Sequence, residues 1–370
     1  MYKRQIEWHI KEHLFQWKAI IIYGARQVGK TTLCKVLLSQ YSQTYYISWD
    51  DPYSIELLTN KTVNDYQTLF QWYKILCIDE AQNIKNIWSV LKLLIDHLPW
   101  LQVIATWSSS FDLANKVNEP LTGRVHMFHL YPLSISEISA NHGVLWVDQQ
   151  INQRVIYGMY PELVASNNEK TLISLSESYV YKDIFALDLI KKSDAIIKLL
   201  QALAYQIWNQ VSYSELSQIV GLDPKTVQKY IHILEQAFII FRLPSFARNL
   251  RNELKTTQKI YFWDTGIRNS LIRRFSLLDM REDTGALREN FVIAELLKSA
   301  SNTNRFPLSF FWRTKTQQEI DFVQDYNGQI TAYEIKWNPN KKVSRPSSFV
   351  STYNPIKHVI TRSNRASYLL

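Results

Sequence analysis

Lys18-Ala19-Ile20-Ile21-Ile22-Tyr23-Gly24-Ala25-Arg26-Gln27-Val28-Gly29-Lys30-Thr31 is the stretch that decides the fold of the first third of the chain. Lys18 to Tyr23 is short, apolar and β-branched, which predicts a buried strand. It runs straight into G-x-x-x-x-G-K-T. Glycines at both ends let the loop backbone curl so that its N–H groups face phosphate oxygens. Lys30 then reaches the β and γ phosphates, and Thr31 offers its hydroxyl to Mg²⁺. Thr32 to Gln40 supply a helix whose positive N-terminal end adds to the anion site. The expected nucleotide-binding residues are therefore Gly24, Ala25, Arg26, Gln27, Val28, Gly29, Lys30, Thr31 and Thr32, with ATP and Mg²⁺ as cofactors.

Working outward, Lys74-Ile75-Leu76-Cys77-Ile78 is a second strand-like run that ends in Asp79-Glu80. A parallel strand would deliver both carboxylates beside the phosphates, a Walker B pattern. Asp79 would hold Mg²⁺ and Glu80 would orient and deprotonate the attacking water. Leu101 to Thr106 predicts another strand, with Thr106 and Ser108 placed to sense the γ-phosphate. Arg124, after Leu121-Thr122-Gly123, is either an arginine finger or an ordinary surface arginine.

A length of 370 residues exceeds what one core organises, so more than one domain is expected. The hydrophobic fraction of 46% and charged fraction of 20% are those of a globular protein. No apolar run approaches the ~18 residues of a membrane span, and the start has no apolar signal core, so a cytoplasmic protein with no membrane partner is expected. Cys34 and Cys77 both fall in predicted buried elements, which leaves neither a disulfide framework nor a zinc site. A net charge of +9 favours polyanions, although solubility alone would also account for it.

In the middle, a helical pattern from Asp194 to Trp208 precedes Tyr213–Val220, the turn Gly221-Leu222 and a helix opened by Asp223-Pro224, a good N-cap followed by a proline suited to the first turn. Val227, Ile231 and Leu234 share one face, leaving Lys225, Gln228, Lys229 and His232 on the other. This is helix-turn-helix geometry, with Phe238–Leu243 as the first wing strand. Arg242, Arg248, Arg251, Lys255 and Lys259 follow against the single acid Glu253. Lys225, Gln228, Lys229, Arg248 and Arg251 are the expected DNA contacts. A winged helix that only packs against neighbouring domains is the alternative.

Near the end, Glu319–Gln324 and Gln329–Trp337 alternate polar and apolar residues around Asn327-Gly328, a strong hairpin signal. A turn at that dipeptide pairs Tyr326 with Gln329, Asp321 with Glu334 and Glu319 with Lys336. Directly opposed carboxylates repel unless a cation lies between them. D-x12-E-x-K is the restriction-endonuclease-like signature: Asp321 and Glu334 would bind Mg²⁺ or Mn²⁺, and Lys336 would activate water or stabilise the pentavalent phosphate. Glu289 shares a helical face with Val292, Ile293 and Leu296, where an unpaired acid is costly, and matches the upstream acid of this nuclease class. Arg313 would contact phosphate or neutralise the acids. A degenerate nuclease fold whose acids only form salt bridges is the alternative.

GARQVGKTTL, ILCIDEAQ and ATWSSSFDLANKVNEPLTGR, with Tyr157-Gly158-Met159-Tyr160-Pro161-Glu162, Lys259-Ile260-Tyr261-Phe262-Trp263-Asp264 and Glu334-Ile335-Lys336, carry a resemblance over nearly the whole chain. It resembles the bacterial and archaeal AAA-like ATPases that end in a domain of unknown function. The resemblance implies an α/β architecture: an AAA-like P-loop NTPase domain over 1–135, a helical linker or lid over 136–190, a central winged helix over 191–256 and a C-terminal α/β restriction-endonuclease-like domain over 257–370. ATP, DNA and further copies of the chain are the partners to expect.

The chain has 9 glycines and 12 tryptophans, where average usage near ~7% would give roughly 25 glycines. Trp107 stands where the similar family has glycine in T-G-S-S-S, and Trp208 occupies a glycine position after a helix. Some bacterial lineages read UGA as glycine, whereas a common alternative code reads it as tryptophan. Translation with the wrong code predicts glycine in the cell at 107, 208 and also 88, with Trp312 genuine. Glycine at 107 and 208 is then expected to favour stability and nucleotide access. Real divergence, absorbed by local repacking, is the alternative.

Overall fold

The computed structural model describes residues 1–108, 121–179, 193–246, 258–314, 316, 318–337 and 346–370. Its contacts divide the chain into two units, Met1–Pro132 with Gln236–Phe238, and Leu133–Glu235 with Ile239–Leu370.

In the first unit the apolar runs become parallel strands: β1 (Ala19–Tyr23), β2 (Thr44–Ser48), β3 (Ile75–Asp79), β4 (Gln102–Trp107) and β5 (Val125–His129), in the order β2-β3-β4-β1-β5. Ile20, Ile21, Ile22 and the whole of β3 are buried because a parallel sheet is covered on both faces, which is why these strands read as continuous apolar runs. Cys34 and Cys77 are free and buried, as expected of small hydrophobes.

The second unit begins with helices Ile135–His142, Val144–Tyr157, Pro161–Ser166 and Glu169–Tyr179. Helices Ser193–Tyr205, Tyr213–Val220 and Pro224–Gln236 then accompany a three-stranded sheet of β6 (Gln210–Val211), β7 (Ile240–Pro244) and β8 (Gln258–Phe262), ordered β6-β8-β7. Finally, helix Thr284–Asn302 precedes a four-stranded sheet ordered β12-β11-β10-β9, from β9 (Leu308–Arg313), β10 (Glu319–Tyr326), β11 (Gln329–Ile335) and β12 (Ile356–Ile360). Phe246, Phe310, Ile320, Val323, Ala332 and Phe349 form an apolar core there.

Two motifs far apart in sequence meet in this unit. Asp264 caps the helix Thr265–Leu271 by accepting from the Ile267 N–H at 3.1 Å, and its other oxygen accepts from the Met159 N–H at 2.7 Å. A Cβ at Gly158 would collide with the Asp264 carboxylate, and one at Gly266 with the Tyr157 carbonyl. Y-G-M-Y-P-E and Y-F-W-D-T-G are therefore halves of one close-packed joint.

The tryptophan positions behave differently from one another. Trp208 adopts φ +73°, in the left-handed region that favours glycine, and Trp17 does the same at φ +62°. Trp107, by contrast, ends the extended strand β4, fully buried, with its ring 4.7 Å from that of Trp88 and inclined by 21°. The expectation that its indole would obstruct the nucleotide is corrected: the ring lies in the apolar core with Ile21, Ile78 and Leu91. Its Nε1 is buried without a hydrogen-bond partner among the described residues. No helix among the described residues is long and apolar enough to cross a membrane.

Candidate functional site

The loop after β1 turns through residues at positive φ, Gly24 (+152°), Gln27 (+59°) and Gly29 (+101°). Gly24 is obligatory on packing grounds, because a Cβ there would strike the Leu130 carbonyl. Helix Lys30–Leu38 starts where the loop ends, which aims its N-terminus at the loop's hollow. Lys30 is buried, and its Nζ donates to the Gly24 and Ala25 carbonyls, each at 2.9 Å. An ammonium held by loop carbonyls is one that phosphate oxygens can take over. Val28 is buried, Arg26 is half-buried, and Gln27 and Thr32 are exposed. Arg4, which carried no signal in the sequence, braces the loop by donating to Val28 O at 2.7 Å and Tyr131 O at 2.6 Å.

Strand β3 delivers Asp79 beside this loop. One carboxylate oxygen accepts from Thr31 Oγ1 and from Tyr46 Oη, both at 2.7 Å, and the other accepts from Thr106 Oγ1 at 2.5 Å. Thr106 also accepts from the Glu80 N–H at 2.8 Å, so β4 fixes both acids at once. Glu80 sits at φ +50°, a strained conformation for a non-glycine residue that turns its carboxylate out of the strand. Its Oε2 accepts from Ser108 Oγ at 2.7 Å and Gln82 Nε2 at 2.5 Å, and its Oε1 lies 3.9 Å from Lys30. Tyr46 was not legible as a site residue, since it stands in no motif, and Gln82, although it ends ILCIDEAQ, was not singled out. Burial, followed by the Lys30 charge, lowers the pKa of His129 to about 3.

Arg124 does not join this group. It precedes β5, which runs parallel to β1, so it lies at the sheet edge opposite the loop, ~16 Å away for a five-residue strand. Its guanidinium grips Asp96 at 2.7 and 3.4 Å instead, which corrects the finger expectation for the chain's own site.

Lys225, Gln228, Lys229 and His232 are exposed on helix Pro224–Gln236, while Val227, Ile231 and Leu234 are buried. Arg242 is paired with Glu235. Arg248, Arg251, Glu253 and Lys255 lie outside the described residues. Lys259 does not belong with this basic group: it is fully buried in the acid cluster of the same unit.

That cluster draws on five elements, β8, the helix Thr284–Asn302, β9, β10 and β11. Tyr326 pairs with Gln329 and Phe322 with Tyr333, the register that sets Asp321 against Glu334 one step further on. Asp321 Oδ2 accepts from the Ile335 N–H at 2.7 Å. Lys336, past the end of β11, lies 3.2 Å from Asp321 and 3.1 Å from Glu334. Glu289 accepts from Tyr261 Oη at 2.6 Å and from Lys259 Nζ at 3.2 Å. Glu319 faces Lys259 at 2.5 Å and Arg313 at 3.6 Å, not Lys336 as the hairpin count suggested. Burial pushes Glu289 up to about 7 against the pull of Lys259, and burial with the Asp321 charge brings Glu334 to about 7. Burial works against the Lys259 and Lys336 ammoniums, but their acid partners hold both above the ordinary lysine range.

Among the described residues no three His, Cys, Asp or Glu side chains are grouped to hold a metal ion, so the expected three-acid set of Glu289, Asp321 and Glu334 is corrected. Glu289 is held by Lys259 and Tyr261, whereas Asp321 and Glu334 share Lys336. Asp321 and Glu334 still fit one cation, because Glu334 Oε1 is buried and has no hydrogen-bond partner among the described residues.

A phosphate loop at the end of the interior parallel strand β1, with two acids at the end of β3, one strand removed across β4, defines a P-loop ATPase domain. Residues 16–139 match the family described as AAA domain, residues 148–278 a domain of unknown function (DUF8612), and residues 284–369 a domain of unknown function (DUF4143). The chain thus carries an AAA-type P-loop ATPase domain followed by a C-terminal DUF4143 domain. Uncharacterized proteins of Mycobacterium bovis and Mycobacterium tuberculosis are each 24% identical over 351 residues, 93% of this chain and 76% of theirs. An uncharacterized protein of Haemophilus influenzae is 24% identical over 355 residues, 87% of this chain and 84% of its own. Of solved structures, a Walker-type ATPase of Pyrococcus abyssi covers 74% of this chain and 96% of its own at 16% identity, with a TM-score of 0.49.

Proposed function

We propose that the chain is a cytoplasmic, Mg²⁺-dependent ATP hydrolase coupled to DNA binding, with a metal-dependent nuclease tail. The hydroxyl ring around Asp79, together with Lys30 and Glu80, carries the ATPase part. Gly24 to Thr32 cradle the phosphates, Thr31 and Asp79 hold Mg²⁺, and Glu80 takes the proton of the attacking water. Arg124 could serve as a finger only toward a neighbouring copy, in a self-associated form.

The helix–strand–helix–helix–strand–strand order, with sheet order β6-β8-β7, supports a winged helix whose exposed Lys225, Gln228 and Lys229, with Arg248 and Arg251, contact DNA phosphates. Buried Asp321 and Glu334 bridged by Lys336 support the nuclease tail: the two acids would hold one Mg²⁺ or Mn²⁺, which supplies charge stabilisation at phosphate. Lys336 would then turn from the acids toward the scissile group. Labelled single- and double-stranded DNA, incubated with and without ATP and Mn²⁺, tests the reading. Cleavage should need the metal and vanish in folded Asp321→Ala and Lys336→Ala; normal cutting by either variant refutes it.

One observation favours a second reading, an ATP-switched DNA- or protein-binding module with a silent tail. Lys259, Lys336 and Arg313 already neutralise most of the acid cluster. Metal-independent DNA binding with no cleavage under any condition would select it.

A further inference from the structure

We infer that Lys259 is a built-in cation standing where a second divalent ion would bind, so that no metal occupies the Glu289–Glu319 half of the tail site while Lys259 is present. The inference rests on the nuclease reading only for the Asp321–Glu334 half. Buried Glu289, Asp321 and Glu334 and half-buried Glu319 are strung along one chain of ion pairs, Glu289 and Glu319 on Lys259, Asp321 and Glu334 on Lys336, and buried acids of this kind call for positive charge. The protein answers it unevenly. Lys259 Nζ sits 2.5 Å from Glu319 and 3.2 Å from Glu289, filling the space a hard cation would take between two oxygens. Arg313 closes Glu319 from the other side at 3.6 Å.

Lys259 also cannot leave. Its backbone is held in the middle strand β8, paired with Gln210 on one side and Leu243 on the other. Its side chain is fully buried, with the ammonium 5.4 Å from the centre of the Phe311 ring. Tyr261, two residues along the same strand and therefore on the same face, holds Glu289 toward it. Lys336 contrasts on each point: it lies beyond a strand end, its side chain is 24% exposed, and it can swing aside. The unpartnered oxygen belongs to Glu334, on the Lys336 side, and both Glu289 Oε1 and Glu319 Oε1 are already held by Lys259. The site is thus asymmetric, with one exchangeable cation position and one covalently supplied.

Mn²⁺ binding to the full chain without nucleotide, counted by electron paramagnetic resonance, tests this. Glu319→Gln should bind as many ions as wild type, with affinity unchanged within about twofold. Lys259→Met, checked by circular dichroism, should bind one ion more than wild type, and the gained ion should disappear in Lys259→Met/Glu319→Gln. A wild-type ion lost on Glu319→Gln, or no gain in folded Lys259→Met, overturns the inference. If Lys259→Met does not fold, the Glu319→Gln count decides alone. Asp321→Asn separates the two claims: equal counts for it and wild type defeat the nuclease reading and leave the Lys259 assignment standing.

Discussion

Glu80→Gln should separate nucleotide binding from hydrolysis. The substitution keeps the shape of the side chain, and the amide oxygen can still accept from Ser108 and Gln82, so the left-handed turn at residue 80 survives. Lys30 loses an anion at 3.9 Å and becomes freer for phosphate, so ATP binding should stay equal or tighten. What disappears is the basic carboxylate. Loss of a positioned general base removes about 10²–10⁴ in rate, or ~2.7–5.5 kcal/mol of transition-state stabilisation. Ser108→Ala leaves the base but removes one hydrogen bond to it, about 1.5–3 kcal/mol at most, and should fall between wild type and Glu80→Gln. Single-turnover phosphate release measures the rate, and titration calorimetry measures ATP affinity. Turnover of Glu80→Gln within about tenfold of wild type would remove Glu80 from the base role.

Lys30→Ala takes away the main side-chain cation for the β and γ phosphates, and calorimetry should detect no ATP binding; wild-type affinity would refute the phosphate-loop assignment. His129 stays neutral in the fold down to about pH 3, while the unfolded chain protonates it near the ordinary histidine value of 6.5. The unfolded state therefore binds more protons in that window, and stability attributable to His129 falls as pH drops from 6.5 toward 3. His129→Asn should lose stability less steeply there, by about 1.4 kcal/mol per pH unit at most, in denaturant titrations; parallel slopes would contradict this. Charge reversal at Lys225 and Lys229 should weaken DNA binding and shallow its salt dependence, and an unchanged slope would favour an intramolecular packing role.

The gene sequence tests the tryptophans: UGA at codons 107 and 208 with UGG at 312 supports misreading, and UGG at all three refutes it. In the chain as written, Trp208→Gly relieves ~1–2 kcal/mol of left-handed strain, against the contacts of a ring already 48% exposed. Trp107→Gly should instead cost ~3–5 kcal/mol, because it empties the core beside Trp88. Thermal unfolding of the two variants should differ accordingly, and equal melting points would refute the distinction.

The first third was legible because a phosphate site is a contiguous backbone motif, and its strand–loop–helix order can be read directly from Lys18 to Gln40. The hairpin register was legible too, since Asn327-Gly328 fixes the count from Tyr326–Gln329 outward. What escaped were partners brought together from far along the chain. Arg4 reaches Val28, Tyr46 reaches Asp79, and Lys259 reaches Glu289 and Glu319, none of them at a spacing that any local period encodes. Lys259 misled because a lysine among basic residues reads as solvated, and only the fold reveals that its strand turns it inward. Arg124 misled because a loop arginine after a glycine says nothing about which edge of the sheet it occupies.

The joint of Gly158, Asp264 and Gly266 bears on how this protein can be taken apart. A fragment starting at residue 257 would keep Asp264 as a cap for its own helix but lose the Met159 N–H, and it would leave both edges of β8 without the strands β6 and β7 that pair with them. A fragment ending at 256 would leave the Met159 N–H and the Tyr157 turn without the surface they were shaped against. Dissection of the tail for separate study should therefore begin before Leu133 or not at all, since a shorter piece inherits half of an interlock whose other half lies about a hundred residues upstream.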